Sequence, residues 1–242
     1  MDRLGTTVRE QVALGRLLPL GTPDDPLWIT ERAAAGVLRR AADALPGVRL
    51  GPVAILLDGP AGEVPDAAPP GALPHGPLRI EADVETTVDE PLPVVVARLR
   101  DALWQEAEDA LGATVTAVDL AVTGILDGPV PPDGGRDGAP ADDGVRGADP
   151  DAYDALAASV AAAVCAVTGV RGLTRHLGTL PGVRVTDDGD APGRRRVQLQ
   201  IAVGPGRAPL PVARDAAAAA ATAAAAGALG PVSVALVVTD AF

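Results

Sequence analysis

The chain has 242 residues, with 28 Gly, 24 Pro, one Cys, two Trp, one Tyr, one Phe and a formal net charge of -12. That length allows one large or two small domains. Lys is absent and every cation is Arg or His, which removes Schiff-base catalysis, pyridoxal phosphate attachment and the phosphate-binding lysine of a P-loop. The negative charge opposes a phosphate backbone, and only Trp28, Trp104, Tyr153 and Phe242 offer stacking surfaces, so nucleic-acid binding is not expected.

The N-terminus, Met1-Asp2-Arg3-Leu4-Gly5, carries an acid where a signal peptide carries a basic run, and no apolar h-region follows. The stretches 155–170 and 216–226 are too rich in Ala to supply the roughly 20 strongly apolar residues of a membrane span. A cytoplasmic protein without direct membrane insertion is the expectation. Residues 1–28 read as an N-terminal helical segment, centred on a short amphipathic helix from Val8 to Leu18.

Residues 29–127 then read as a first unit. Ala34, Leu38, Ala41 and Leu45 fall at helical spacing, and Pro46-Gly47 stops the helix. Val48 to Leu57 is a strand, followed by a Pro/Gly-rich loop from Gly59 to Gly76. In the next strand Leu78, Ile80, Ala82 and Val84 alternate with Arg79, Glu81, Asp83 and Glu85. Pro93 opens a long helix with the stripe Leu92, Val96, Leu99, Leu103 and Ala110, and Thr114 to Val122 is a final strand.

A Pro/Gly/Asp-rich linker occupies 128–150, and residues 151–242 repeat the unit in a divergent, Ala-rich form. Leu92-Pro93 recurs as Leu210-Pro211 and Leu111-Gly112 as Leu229-Gly230 at one shared spacing. Leu156, Val160, Ala163 and Val167 repeat the first helix, Val197 to Val203 the alternating strand, and Val232 to Val238 the last strand. The expected fold is α+β: two tandem small domains, each helix-strand-strand-helix-strand, with a three-stranded sheet covered by two helices. The second, with its Ala-rich helix, buries less area and is expected to be the less stable.

The pattern of Ile29-Thr30-Glu31 opening a helix, Leu45-Pro46-Gly47-Val48 closing it, an alternating strand from Leu78 to Val88, Pro93 with a long amphipathic helix, and Thr114 to Val122 resembles the alkaline shock proteins of Gram-positive bacteria, a general-stress and envelope-stress-response family. The resemblance covers Ile29 to about Asp127, and the second copy follows it in outline. It implies a small α/β module without catalytic residues, acting as a cytoplasmic scaffold in cell-envelope homeostasis, held near the membrane by a protein partner such as a membrane-anchored one. Self-association remains open. The alternative is a regulatory module that binds a small molecule between its two domains.

Chemistry-bearing residues are sparse. His75 and His176 are the only imidazoles and read as loop residues, and with Cys165 in an apolar run they give zinc no framework, so neither metal nor cofactor is expected. Cys165 reads as a small core residue with no cation within a helical turn to activate it. Asp187-Asp188-Gly189-Asp190, followed by Arg194-Arg195-Arg196, lacks the spacing of a calcium loop and reads as a solvated hairpin turn. Gly169-Val170-Arg171-Gly172 fits a nucleic-acid-clamping Gly-x-x-Gly loop in form, but in so acidic a chain it reads as a helix-ending turn.

Trp104, with Arg100 four residues before it and Arg39-Arg40 elsewhere, is the candidate partner contact, because its counterpart in the second copy is Thr222 and the shared core needs no aromatic there. Trp104→Ala separates two roles: lost partner binding at an unchanged melting temperature marks a docking residue, and a large fall in melting temperature marks packing on the flank of the core.

Overall fold

The computed structural model describes residues 15–60, 62–65, 68–128, 154–176, 182–187 and 193–242. It begins with strand β1 (Leu17–Pro19), antiparallel to β2 (Leu27–Thr30). The helix expected over Val8–Leu18 therefore does not include Leu17 and Leu18, and its earlier residues lie outside those described. The physical reason is that these two neighbours are buried on opposite faces of a sheet, Leu18 in the main core and Leu17 against Trp28. An amphipathic helix cannot bury adjacent residues so far apart, whereas a strand between two covered faces does.

Helix α1 (Glu31–Asp43) follows β2 directly, capped by the Thr30 hydroxyl, which accepts from Ala33 N–H. Strands β3 (Val48–Leu57) and β4 (Leu78–Thr86) pair antiparallel, helix α2 (Leu92–Leu111) crosses over, and β5 (Val115–Ile125) returns parallel to β4. The order β3-β4-β5 makes a three-stranded sheet. Its alternation places Leu78, Ile80, Ala82 and Val84 in the core and Arg79, Glu81, Asp83 and Glu85 on the outer face.

The same connectivity recurs after residue 154. Helix α3 (Ala155–Cys165) leads to β6 (Val170–Leu173) and β7 (Val183–Asp187), both antiparallel to β8 (Arg195–Val203); helix α4 (Pro209–Ala224) then leads to β9 (Val232–Ala241), parallel to β8. β6 and β7 together hold the place that β3 holds in the first sheet. The second sheet nevertheless has six strands, in the order β1-β2-β9-β8-β6 with β7 also on β8, because β2 adds itself parallel to the far edge of β9. Strand β1 and residues 27–28, expected outside the repeated units, and Ile29 and Thr30, expected at the start of the first, thus belong to the sheet built by the C-terminal one.

The four helices of the described residues pack on one another and on both sheets, so one continuous apolar core includes side chains of every helix and of both sheets. Ala213, Ala216, Ala220 and Ala224 of α4 are completely buried at spacings of three and four. Side chains this short allow α4 to approach its neighbours closely, in keeping with its Ala-rich sequence.

Gly112 shows how tightly the parts are joined. It ends α2 in the left-handed region, at φ 63°, and a Cβ there would lie 2.7 Å from Leu210 Cδ2 on α4 and 2.9 Å from Gly21 Cα in the β1–β2 turn. Gly21 N–H also donates to Leu111 O at 2.9 Å. Gly112→Ala is expected to cost at least the ~1–2 kcal/mol of a left-handed Cβ, with the clash added, and urea unfolding measures it.

Candidate interaction surface

Two polar contacts fasten the N-terminal strand pair to the C-terminal half. In the turn between β1 and β2, Asp25 accepts from Arg214 Nε at 3.3 Å and Nη2 at 2.8 Å, and from Thr22 N–H and Oγ1. The Arg214 guanidinium is the chief reason its carboxyl is lowered from 3.8 to about 2. At the other end Asp240, on β9, accepts from His176 Nε2 at 3.2 Å, from Thr239 Oγ1 at 2.9 Å and from Arg32 Nη2 on α1. Burial alone would raise the Asp240 carboxyl, but the His176 bond, the Arg32 charge and Thr239 together hold it below the ordinary carboxylate value.

The cluster continues through hydroxyls. Thr174 and Thr239 share a bond of 2.7 Å, and Thr30 Oγ1 donates to Thr239 O at 2.9 Å while capping α1. His176 is therefore not a loop decoration: it is partly buried and paired with a carboxylate. Bonds of the cluster join β9 to α1 through Arg32, to β2 through Thr30, and to the segment after β6 through Thr174 and His176. The sequence signal for this site is Asp240 itself, an acid at the end of an otherwise apolar strand where the first copy has Val122.

The other expected residues are placed as follows. Trp104 lies half-buried on α2 against the core, and its Nε1 donates to Glu108 Oε1 at 2.9 Å. Arg100 turns to β5, its Nε donating to Val118 O at 3.0 Å. Arg40 donates to Ala241 O at 3.0 Å. Cys165 is exposed at the end of α3, which corrects the reading of a core residue; Val164 beside it takes the buried position, and partial burial still raises the thiol's pKa. Asp187 and Arg195 face each other at the start of the β7–β8 pair, and the buried Arg195 also donates to Ala224 O and Ala226 O at the end of α4, where a cation is favourable. Asp188 to Pro192 lie outside the described residues. Gly169, at φ 98°, turns the chain from α3 into β6.

The two sheets differ at equivalent edges. β9 has its outer edge occupied by β2, with Leu236 N–H donating to Pro26 O at 3.1 Å. β5, in the matching position, has no strand beside it among the described residues. Leu78 N–H bonds Thr114 O and Leu126 N–H bonds Thr86 O, so alternate β5 residues face β4 and the intervening Val118, Leu120 and Val122, with Ile125 after a bulge, turn their amides to the open side. Arg100 covers one carbonyl of that edge. Its counterpart is Ala218, so on β9 the space is left to β2.

Large exposed apolar side chains gather at the same corner. Val88, Leu92, Val94, Val122 and Ile125 are 37–69% exposed. Ile125 is registered opposite Thr86, and α2 begins at that end of the sheet and runs back over it. A groove of about 540 Å³ adjoins the edge, lined by Glu81, Asp83, Asp119 and Arg100 among others. An apolar corner with unpaired amides and an acidic rim is suited to binding a protein segment. No known protein-family model, curated protein or solved structure matches the chain.

The lowered Asp25 carboxyl gives the strand-pair anchor a pH signature. Its folded value lies below its unfolded one, so its stabilisation is complete above about pH 4 and is lost as the pH falls toward 2. Asp25→Asn should lower the melting temperature at neutral pH and flatten its decline between about pH 4 and 2, as followed by circular dichroism.

Proposed function

We propose that this protein is a non-enzymatic adaptor that works by binding other proteins, and that its docking surface is the corner formed by the open edge of β5 and the exposed Val88, Leu92, Val94, Val122 and Ile125. The contrast between the two copies of one edge carries this reading: among the described residues β9 has β2 along its outer edge and β5 has no strand beside it. The engagement of Asp240 and His176 with Arg32 and the threonines supports a fastening role for that pair rather than a chemical one.

On this reading the chain is built from two tandem helix-strand-strand-helix-strand units of the alkaline-shock type, joined by the segment 128–150. The resemblance extends the proposal to a cytoplasmic scaffold of the cell envelope, held there by a membrane-anchored partner. That no described helix is long and apolar enough to cross a membrane is compatible with attachment through another protein.

The test is a cross-linked pull-down of tagged full-length protein, with membrane and soluble fractions separated, run beside the double variant Leu92→Arg, Ile125→Asp. Recovery of a near-stoichiometric partner that falls by about 10-fold or more in the variant, at an unchanged melting temperature, is the expected result. Equal recovery by both proteins would overturn the proposed surface.

A further inference from the structure

Resting on the adaptor reading, the occupant of the β5 edge can be specified from the molecule's own repeat. In the C-terminal sheet the equivalent edge holds β2, which runs parallel to β9 with Leu27 opposite Leu236 and Ile29 opposite Val238. Leu27 and Ile29 are buried in the main core. Within the first sheet, Ile80 is opposite Val118 just as Leu199 is opposite Leu236 in the second, so Val118 and Leu120 are the positions that correspond to Leu236 and Val238.

At those positions β5 offers the same outward amides, with one difference. The Val118 carbonyl already accepts a bond from Arg100 Nε, a donor standing where a neighbouring strand would supply its N–H. A side chain satisfies the carbonyl at little cost and yields to a backbone donor, which blunts the edge against indiscriminate pairing without closing it. Beyond it, Val122 and Ile125 lie on the same face of β5 as Val118 and Leu120 and remain exposed. The opposite face of the sheet carries Glu81 and Asp83, and beside the edge Asp119, which accepts from Arg79 Nη1 at 2.9 Å through one of its two carboxylate oxygens.

We propose that β5 receives an extended strand of a partner protein, parallel to it in the manner of β2 on β9, with apolar side chains over Val122 and Ile125 and alternate basic side chains toward Asp119, Glu81 and Asp83. The apolar residues bury the exposed corner, the main chain completes the open ladder, and the charge of the other face selects basic over acidic sequences.

The experiment uses the full-length chain and two capped peptides of about ten residues, one alternating Val with Arg and one alternating Val with Glu. The Val/Arg peptide should bind at least about 10-fold more tightly than the Val/Glu peptide and slow amide exchange at Leu120, Val122 and Ile125. Val122→Pro removes an outward N–H without touching the β4 ladder and should abolish binding; Arg100→Ala should tighten it several-fold. Asp119→Lys supplies a second route should the proline variant fold poorly, and should reverse the peptide preference. Binding without protection of those amides, or no binding of the Val/Arg peptide, would overturn strand addition. Concentration-dependent dimerisation that Asp119→Lys leaves intact and that protects the same amides would replace the partner strand with a second copy of β5. Failure of the peptide alongside a partner lost on Leu92→Arg, Ile125→Asp would overturn this mode of docking while leaving the adaptor surface standing.

Discussion

The pairing of β2 with β9 is the constraint on which the remaining architecture rests. It joins residues near the start of the described chain to its final strand, with Thr30 Oγ1 reaching Thr239 O across 209 positions of sequence. Thr30 is also the cap of α1, so the contact that closes the sheet fixes where the first helix begins and how it lies against β9. Asp240 strengthens the joint because a buried carboxylate is costly unless surrounded by donors, and its donors come from α1, from the segment after β6 and from β9 itself. Moving any of these elements would strand a charge, so the arrangement is specified as well as stabilised.

Much of the local structure was legible in the sequence. The two alternating strands, Leu78–Thr86 and Arg195–Val203, carry period-two patterns, and Pro93 and Pro211 mark helices whose first turns need no amide donor. The β1–β2 pair was illegible for physical reasons. β1 has three residues and β2 four, the turn between them lacks a strong hairpin dipeptide, and the partner of β2 is parallel and remote. Cys165 was misread because α3 is apolar almost all round, so its sequence does not orient it; only packing shows that Ala157, Val160 and Val164 face inward. Context likewise hid His176, whose carboxylate partner lies on another strand. Trp104 stood out as an aromatic without a counterpart, while the more telling asymmetry, Arg100 against Ala218, showed its meaning only beside Val118 and the strand order.

The two sheets illustrate how one edge can be resolved in two ways. In the C-terminal sheet a strand covers it and buries Leu27, Trp28 and Ile29 almost completely. In the first sheet a single guanidinium guards one carbonyl, and valine and isoleucine beside it stay in water. Isolated exposed apolar residues are ordinary on protein surfaces, but five at one end of one sheet, beside an unpaired ladder, concentrate unfavourable hydration where a partner can relieve it. The acidic outer face then contributes selectivity, since it repels an acidic strand as effectively as it attracts a basic one.

The long-range closure between β2 and β9 also sets an order of events during synthesis. A ribosome delivers β1, β2 and all of the β3-β4-β5 sheet well before β9, so the strand pair must wait with Trp28 and its neighbours unburied until the last element emerges. Closing so large a loop late is entropically slow, and a waiting apolar strand is open to wrong partners meanwhile. Among the described strands, β5 presents a parallel edge without a strand beside it during that interval. Arg100, whose bond to Val118 O needs only the first unit, already occupies one acceptor of that edge while the strand pair waits.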